Sequence, residues 1–397
     1  MTKNRKRAII TLSVVASSIV TYFGIGLAGV GIASYFVTNR RHANLSLLKE
    51  DFYSVQKCRD DYPSLANREE ITFPCGKEQL RGYLYESPSP KGVIIYAHGV
   101  GNLADANGAQ VQNYYVEHNY DVFAIDMTGC GRSTGSGIKS LHESKYCVQN
   151  AVKTVQNLEK TKDLPLFLIG HSWGGYGVVT ATDLVDGISG VAAFSGFNKP
   201  SEMMYSFSEK YASKAMILMK PAMQLGISIA WGQQSYYTAE TSIRNHKDIP
   251  FFIVQGDKDT TVPLKNVSIY DNVVRDNYEN VTAVKIEGMT HGTPWKTLEA
   301  VEYTAECEQI IKEMRKKWPS YNGVFPSILR DDYIAHNFDK EKASEVNISS
   351  ICSNKLVFIS LAFSLSTLAI YSSLTSSGSL PLYCFLKSFN SCSHFAA

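Results

Sequence analysis

Leu166-Phe167-Leu168-Ile169-Gly170-His171-Ser172-Trp173-Gly174-Gly175 joins a short apolar run to a serine framed by glycines, and a helical pattern follows from Gly175 to Leu184. The first four residues suit a strand covered on both faces. Gly170-His171-Ser172-Trp173-Gly174 fits G-x-S-x-G. On a sharp strand-to-helix turn the flanking side chains would clash, hence the glycines, and the serine hydroxyl projects above the sheet. The start of the helix also points N–H groups at any negative charge that develops there. Five residues alone say little. Placed between a strand and a helix, they nominate Ser172 as a nucleophile over an idle serine in a structural turn.

Outward from that turn, short apolar strands alternate with longer helical patterns. The strands are Gly92 to Ala97, Asp121 to Ile125, Leu166 to Ile169, Ile188 to Phe194, Phe251 to Val254 and Val281 to Ile286. This rhythm predicts an α/β fold with a mostly parallel, doubly wound sheet. Upstream, Glu70 to Pro74 and Gln79 to Tyr85 flank a turn at Cys75 to Glu78, which predicts an antiparallel hairpin at a sheet edge. The rhythm breaks at residues 198–247, one long insertion holding Met203, Met204, Met216, Met219 and Met223. These methionines either pack ordinary core helices or line the apolar pocket of a helical lid. An insertion at that point lies over the carboxyl ends of the strands, which favours the pocket.

A serine hydroxyl at neutral pH needs a base within hydrogen-bond reach. The chain offers Gly256-Asp257-Lys258-Asp259 after one strand and Thr290-His291-Gly292 after the next. The order Ser, Asp, His, each beyond the carboxyl end of a strand, suits a nucleophile with base and orienting acid. His98 and His171 compete as bases, but both sit inside turn motifs with structural work of their own. An oxyanion hole needs two donors. Trp173 N–H is one; the loop His98-Gly99-Val100-Gly101-Asn102 supplies the other, for which Val100 N–H is the candidate, plain turn chemistry being the alternative.

The carrying residues are His98-Gly99, Asp126-Met127-Thr128-Gly129-Cys130-Gly131-Arg132-Ser133, Gly170 to Gly175, Gly256 to Asp259 with Val262-Pro263, and His291-Gly292. On these, the chain from about Glu69 to Lys316 resembles the α/β-hydrolase superfamily, particularly its membrane-anchored bacterial members and the serine aminopeptidase/monoacylglycerol-lipase-like branch. The resemblance implies that the second Asp of the run, Asp259, is the triad acid. Relatives of this fold with Asp as nucleophile are set aside by Ser172. Two parts depart from the pattern: a Pro-, Tyr- and Phe-rich segment at about 318–339, and the tail.

The ends differ from the middle. Residues 8–37 carry no charge, and about 20 residues suffice to cross a bilayer. Lys3, Arg5, Lys6 and Arg7 precede the run and Arg40 and Arg41 follow it, which predicts a cytoplasmic N-terminus and an extracytoplasmic body. A cleaved signal peptide is the rival, but its apolar core is normally about 7–15 residues. Gly24-Ile25-Gly26-Leu27-Ala28-Gly29 inside the run mimics G-x-G-x-x-G, yet no strand precedes it; small residues letting helices approach closely are the better reading. Residues 356–386 are again uncharged but Ser-rich. A second span and a reading-frame error near Asn347 both account for them.

The chain has 397 residues, 39 Lys+Arg against 37 Asp+Glu, and 44% hydrophobic residues. A charge this near neutrality excludes a strongly basic nucleic-acid binder. The eight Cys form no CxxC pair and the nine His no HExxH motif, so no metal is expected. The expected organisation is residues 1–42 as N-terminus and anchor, 43–340 as hydrolase domain with the insertion, and 341–397 as an atypical tail. The expected activity is serine-dependent hydrolysis of carboxylic esters, acyl or lipid-like, through an acyl-enzyme, without cofactor. A peptidase or thioesterase on the same fold, and a non-catalytic anchored binding protein, are the alternatives.

Overall fold

The computed structural model describes residues 2–38, 55–104, 108–211, 213–292, 295–316, 335–346 and 348. The tail at 356–386, Arg40, Arg41 and most of the segment 318–339 lie outside them.

Eight strands form one sheet in the order β1-β2-β4-β3-β5-β6-β7-β8. In chain order they are β1 (Glu69–Cys75), β2 (Glu78–Tyr85), β3 (Val93–Ala97), β4 (Asp121–Asp126), β5 (Leu166–His171), β6 (Ile188–Phe194), β7 (Phe251–Gly256) and β8 (Val281–Ile286). β1 and β2 make the expected edge hairpin; β2 runs antiparallel to β4, and the other pairings are parallel. The helices are α1 (Lys3–Thr38), α2 (Ala109–Glu117), α3 (Ser144–Asn157), α4 (Trp173–Ala181), α5 (Pro200–Tyr211), α6 (Lys220–Trp231), α7 (Ala239–Asn245), α8 (Ile269–Asp276), α9 (Leu298–Lys316) and α10 (Lys340–Ser344).

Strand alternation explains why the central strands are largely apolar. Val93, Ile95 and Ala97 of β3 enter one buried cluster with α3, α4 and α8, while Ile94 and Tyr96 enter another with α2. Phe251 and Ile253 divide from Phe252 and Val254 in the same way. A sheet covered on both faces admits few polar side chains, and those buried in it, such as Asp121, Asp126 and Gln255, are hydrogen-bonded. Its parallel strands all end on one side, and the loops leaving β3, β5, β7 and β8 therefore meet above a single edge.

The insertion folds as α5, α6 and α7 joined by two short 3-10 turns, Lys214–Met219 and Gly232–Tyr236. The expected domain boundary at residue 340 falls at the start of α10. Ala343 is buried, Lys296 donates to its carbonyl at 2.9 Å, and Ile348 is 1% exposed in the α2-side cluster. The body therefore continues at least to Ile348. The charged stretch Phe338 to Ile348 looks in the sequence like the start of a helix, and α10 is that helix, burying only its small side chains Ala343 and Ser344.

Candidate active site

The turn after β5 is tight because two glycines allow it. A Cβ on Gly170 would lie 2.3 Å from the Gly174 carbonyl oxygen, and one on Gly174 would lie 2.0 Å from that of Ala97. Ser172 sits between them at φ 56°, ψ −112°, a left-handed conformation that a non-glycine residue adopts only under constraint. Its N–H donates to Phe194 O at 2.8 Å and its carbonyl accepts from Tyr176 N–H at 3.0 Å, which fixes the turn to β6 and α4.

Two loops bring the partners. His291 Nε2 lies 2.8 Å from Ser172 Oγ, and His291 Nδ1 lies 2.8 Å from Asp259 Oδ2. The Asp259 side chain is wholly buried and that of His291 is 21% exposed. Burial raises the Asp259 carboxyl, but the bond and charge of His291, with N–H donors from Val262 and Thr261, outweigh it and hold the pKa below the usual value. Those two N–H groups lie 2.8 and 2.9 Å from Oδ1. Asp257 faces elsewhere: its Oδ1 accepts from Gly288 N–H at 2.8 Å, bracing the loop that carries His291.

Above the serine, Trp173 N–H is the first of α4 and needs no intrahelical acceptor. The loop after β3 comes close on the other side: a Cβ on Gly99 would lie 3.2 Å from Ser172 Cβ. Val100 follows it, half-buried against the core.

Residues beyond those nominated hold this frame. Asp126 Oδ1 accepts from Ala104 N–H at 2.9 Å, and Oδ2 from Arg132 N–H at 3.0 Å and the Tyr83 hydroxyl at 3.1 Å. A Cβ on Gly131 would lie 2.1 Å from that carboxylate. The run Asp126 to Ser133 thus encodes a brace for the loop 98–104, and a glycine crowding a buried acid was its signal in the sequence. His98 donates to Gly99 O at 2.7 Å and accepts Met127 N–H at 3.1 Å. Burial keeps its pKa low, consistent with a neutral ring in that role. His171 Nε2 lies 2.6 Å from the His291 carbonyl oxygen, and the ring packs edge-on to Trp295 at 5.1 Å between centroids. Among the described residues, the histidine hydrogen-bonded to Ser172 Oγ is His291, not His98 or His171.

The methionines divide. Met203, Met204 and Met223 are buried, 1–3% exposed, in the apolar cluster that holds Trp173; Met216 and Met219 pack on it half-buried. Among the described residues no group of three or more His, Cys, Asp or Glu side chains could hold a metal ion.

With this geometry in place, residues 88–309 match the family described as serine aminopeptidase, S33. The chain belongs to that family of α/β-hydrolases. It is also similar to monoglyceride lipase of Mus musculus, 27% identical over 170 residues, which is 42% of this chain and 53% of the lipase. Caffeoylshikimate esterase of Arabidopsis thaliana is 28% identical over 129 residues, 32% of this chain and 37% of the esterase. The chain thus spans about half or less of these relatives. Among solved structures, an α/β-hydrolase from Vibrio vulnificus matches with TM-score 0.47 at 14% identity, over 69% of this chain and 88% of that one. An esterase from Pyrococcus furiosus matches with TM-score 0.46 at 17% identity, over 64% and 93%.

Proposed function

We propose that this chain is a serine hydrolase cleaving carboxylic esters of acyl or lipid-like substrates through an acyl-enzyme. The observation that carries this reading is the pair of 2.8 Å contacts that link Ser172 to His291 and His291 to Asp259. Ser172 Oγ attacks the ester carbonyl carbon while His291 Nε2 takes its proton. The carbonyl oxygen becomes an oxyanion held by the N–H groups of Trp173 and Val100, where one such donor is worth about 10²–10³ in rate. Collapse expels the alcohol, which receives the proton from His291. Water then attacks the acyl-enzyme with His291 as base, and the acid departs. Asp259 holds the imidazole in the productive tautomer and stabilises its cation.

The insertion acts as a lid, with its five methionines bounding an acyl pocket. α1 anchors the chain in the cell membrane: within Lys3–Gly31 an 18-residue stretch has a mean hydropathy of 2.0, and the helix has the length to cross a bilayer, features that a signal sequence shares. The basic cluster before it sets the body on the extracytoplasmic side.

A fluorophosphonate probe tests the nucleophile: Ser172 should be labelled, and Ser172→Ala should not react. A panel of acetyl and long-chain esters, thioesters and aminoacyl amides tests the substrate class. The family's description as serine aminopeptidase favours the amide reading as the second. Faster turnover of aminoacyl amides than of any ester would establish it.

A further inference from the structure

α1 does not stand clear of the body. Its Tyr22 hydroxyl donates to the Leu218 carbonyl at 2.6 Å, Gly26 lies against Ala222, and Val30, 2% exposed, lies against Gly226. These pairs advance four residues at a time on both chains and in the same direction, so α1 and α6 run parallel. The glycines make the approach close. A Cβ on Gly26 would lie 2.3 Å from Ala222 Cβ, and one on Gly226 would lie 3.1 Å from Val30 Cβ. Gly24 and Gly29 have nothing within 4 Å. Small residues at a helix contact are the usual means of close packing inside a membrane.

α6 and the turn before it carry a second, uncovered face. Leu218, Leu225 and Ile229 are 74%, 43% and 69% exposed, and their spacing puts them on one stripe. Ile217 adjoins it at 53%. Contiguous exposed apolar residues of this kind mark an interaction surface. What continues the stripe is α1, whose Ile10, Leu12, Val20 and Ile25 are all at least 60% exposed. At about 1.5 Å per residue, Tyr22 stands about 22 Å beyond Arg7 and Val30 about 35 Å, against a hydrocarbon core of about 30 Å. The tip of the insertion at Leu218 then lies about 8 Å inside the far leaflet, a depth from which Lys214 and Lys220 can reach the headgroups. On its inner side, α6 sends Met223 and Ile227 into the cluster that contains Trp173, beside the nucleophile.

We propose that α1 and α6 act as one parallel helix pair that seats the insertion in the leaflet opposite the basic cluster Lys3–Arg7. Ile217 and Leu218 rest against acyl chains there, Leu225 stands at the hydrocarbon boundary and Ile229 among the headgroups, and a substrate chain passes from the leaflet to Ser172 past α6. The lipid bilayer is the partner of this face. The inference rests on α1 as a membrane span and on the ester-hydrolase reading of the site.

The test uses the full chain in vesicles of phosphatidylcholine and phosphatidylglycerol carrying a photoactivatable acyl chain. Three proteins are compared: wild type, Gly26→Leu, which forces the helices apart, and Gly24→Leu, which adds the same side chain where nothing is met. Irradiation should label α6 in wild type and Gly24→Leu, and label only α1 in Gly26→Leu. Hydrolysis of a vesicle-embedded long-chain ester should fall at least tenfold in Gly26→Leu alone, with a water-soluble acetyl ester and fluorophosphonate labelling of Ser172 unchanged. An unlabelled α6 in wild type, or equal labelling in all three proteins, overturns the inference. Because labelling needs no turnover, it is read even if wild type hydrolyses neither ester, a result that would overturn the ester reading instead.

Discussion

His171 gives its Nε2–H to the carbonyl oxygen of His291 at 2.6 Å, with the two imidazole rings 4.9 Å apart. The residue before the proposed nucleophile thereby fastens the backbone of the proposed base. Burial, then the nearby His291, depress the His171 pKa to about 3. The ring is therefore neutral above about pH 4 and places no cation beside the imidazolium that the proposed mechanism forms at His291.

The pH profile of kcat/KM should consequently show no ionisation of His171 above about pH 4. His171→Gln, which can still donate, should keep most of kcat. His171→Leu should lose about 10–100-fold, since an unpaired buried carbonyl and a loosened base loop cost about 1.4–2.7 kcal/mol together. An ionisation in wild type that vanishes in His171→Gln would show that His171 titrates in the working range.

Asp259 and Asp257 stand two residues apart and should behave very differently. Asp259→Asn keeps the shape but favours the wrong tautomer of His291, so kcat should fall by about 10³–10⁴. Asp257→Asn disturbs the bond to Gly288 N–H and the 4.0 Å pairing with Lys258, and should stay within about tenfold. Measuring kcat for both beside Ser172→Ala as the floor decides the assignment; an inactive Asp257→Asn with an active Asp259→Asn reverses it.

Met219 is half-buried at the start of α6 and packs against the main cluster. Met219→Glu should lower kcat/KM for long acyl esters much more than for acetyl esters, because an apolar channel tolerates a carboxylate poorly. Equal losses for both would assign the residue to packing alone.

Lys296 is 1% exposed, and burial lowers its pKa from 10.5 to about 8. Below pH 8 it is charged in both states, and the folded state bears the full cost of desolvating the ammonium. Between pH 8 and 10.5 the folded chain has released the proton while the unfolded chain still holds it, so this cost fades and stability rises with pH. Lys296→Met should raise Tm at pH 7, roughly 2–4 °C per kcal/mol gained, and the gain should shrink toward pH 10. Thr304 Oγ1, 3.3 Å from Ala343 O, remains to satisfy that carbonyl. A thermal melt at each pH checks both statements; a lower Tm at pH 7 would show that the ammonium's bond to Ala343 outweighs its burial.

What the sequence disclosed was what local chemistry dictates. Gly170 and Gly174 announce a turn with no room for side chains, and Phe251-Phe252-Ile253-Val254 announces a strand covered on both faces. Parallel strands then bring the loops of Ser172, Asp259 and His291 to one edge. Contacts between distant segments left fainter marks. Gly26 meeting Ala222 depends on where the insertion folds back, and no local period encodes that. The charged stretch from Phe338 to Ile348 looks like the start of a helix, as α10 is, but Lys340, Glu341, Lys342 and Glu345 give no sign that Ala343, Ser344 and Ile348 pack on the body. The bond from His171 to His291 O was silent too, since its acceptor is a backbone atom that any residue would supply.

The positive φ of Ser172 sets activity against durability. Holding a side-chain-bearing residue in such a conformation costs about 1–3 kcal/mol, whereas glycine adopts it freely. A Ser172→Gly chain would lose its nucleophile and yet fold to a sturdier protein. Screening random variants of this chain for heat resistance alone would therefore enrich dead enzymes. In evolution too, loss of function here lies downhill in folding energy, and only continued demand for the chemistry keeps the serine in place.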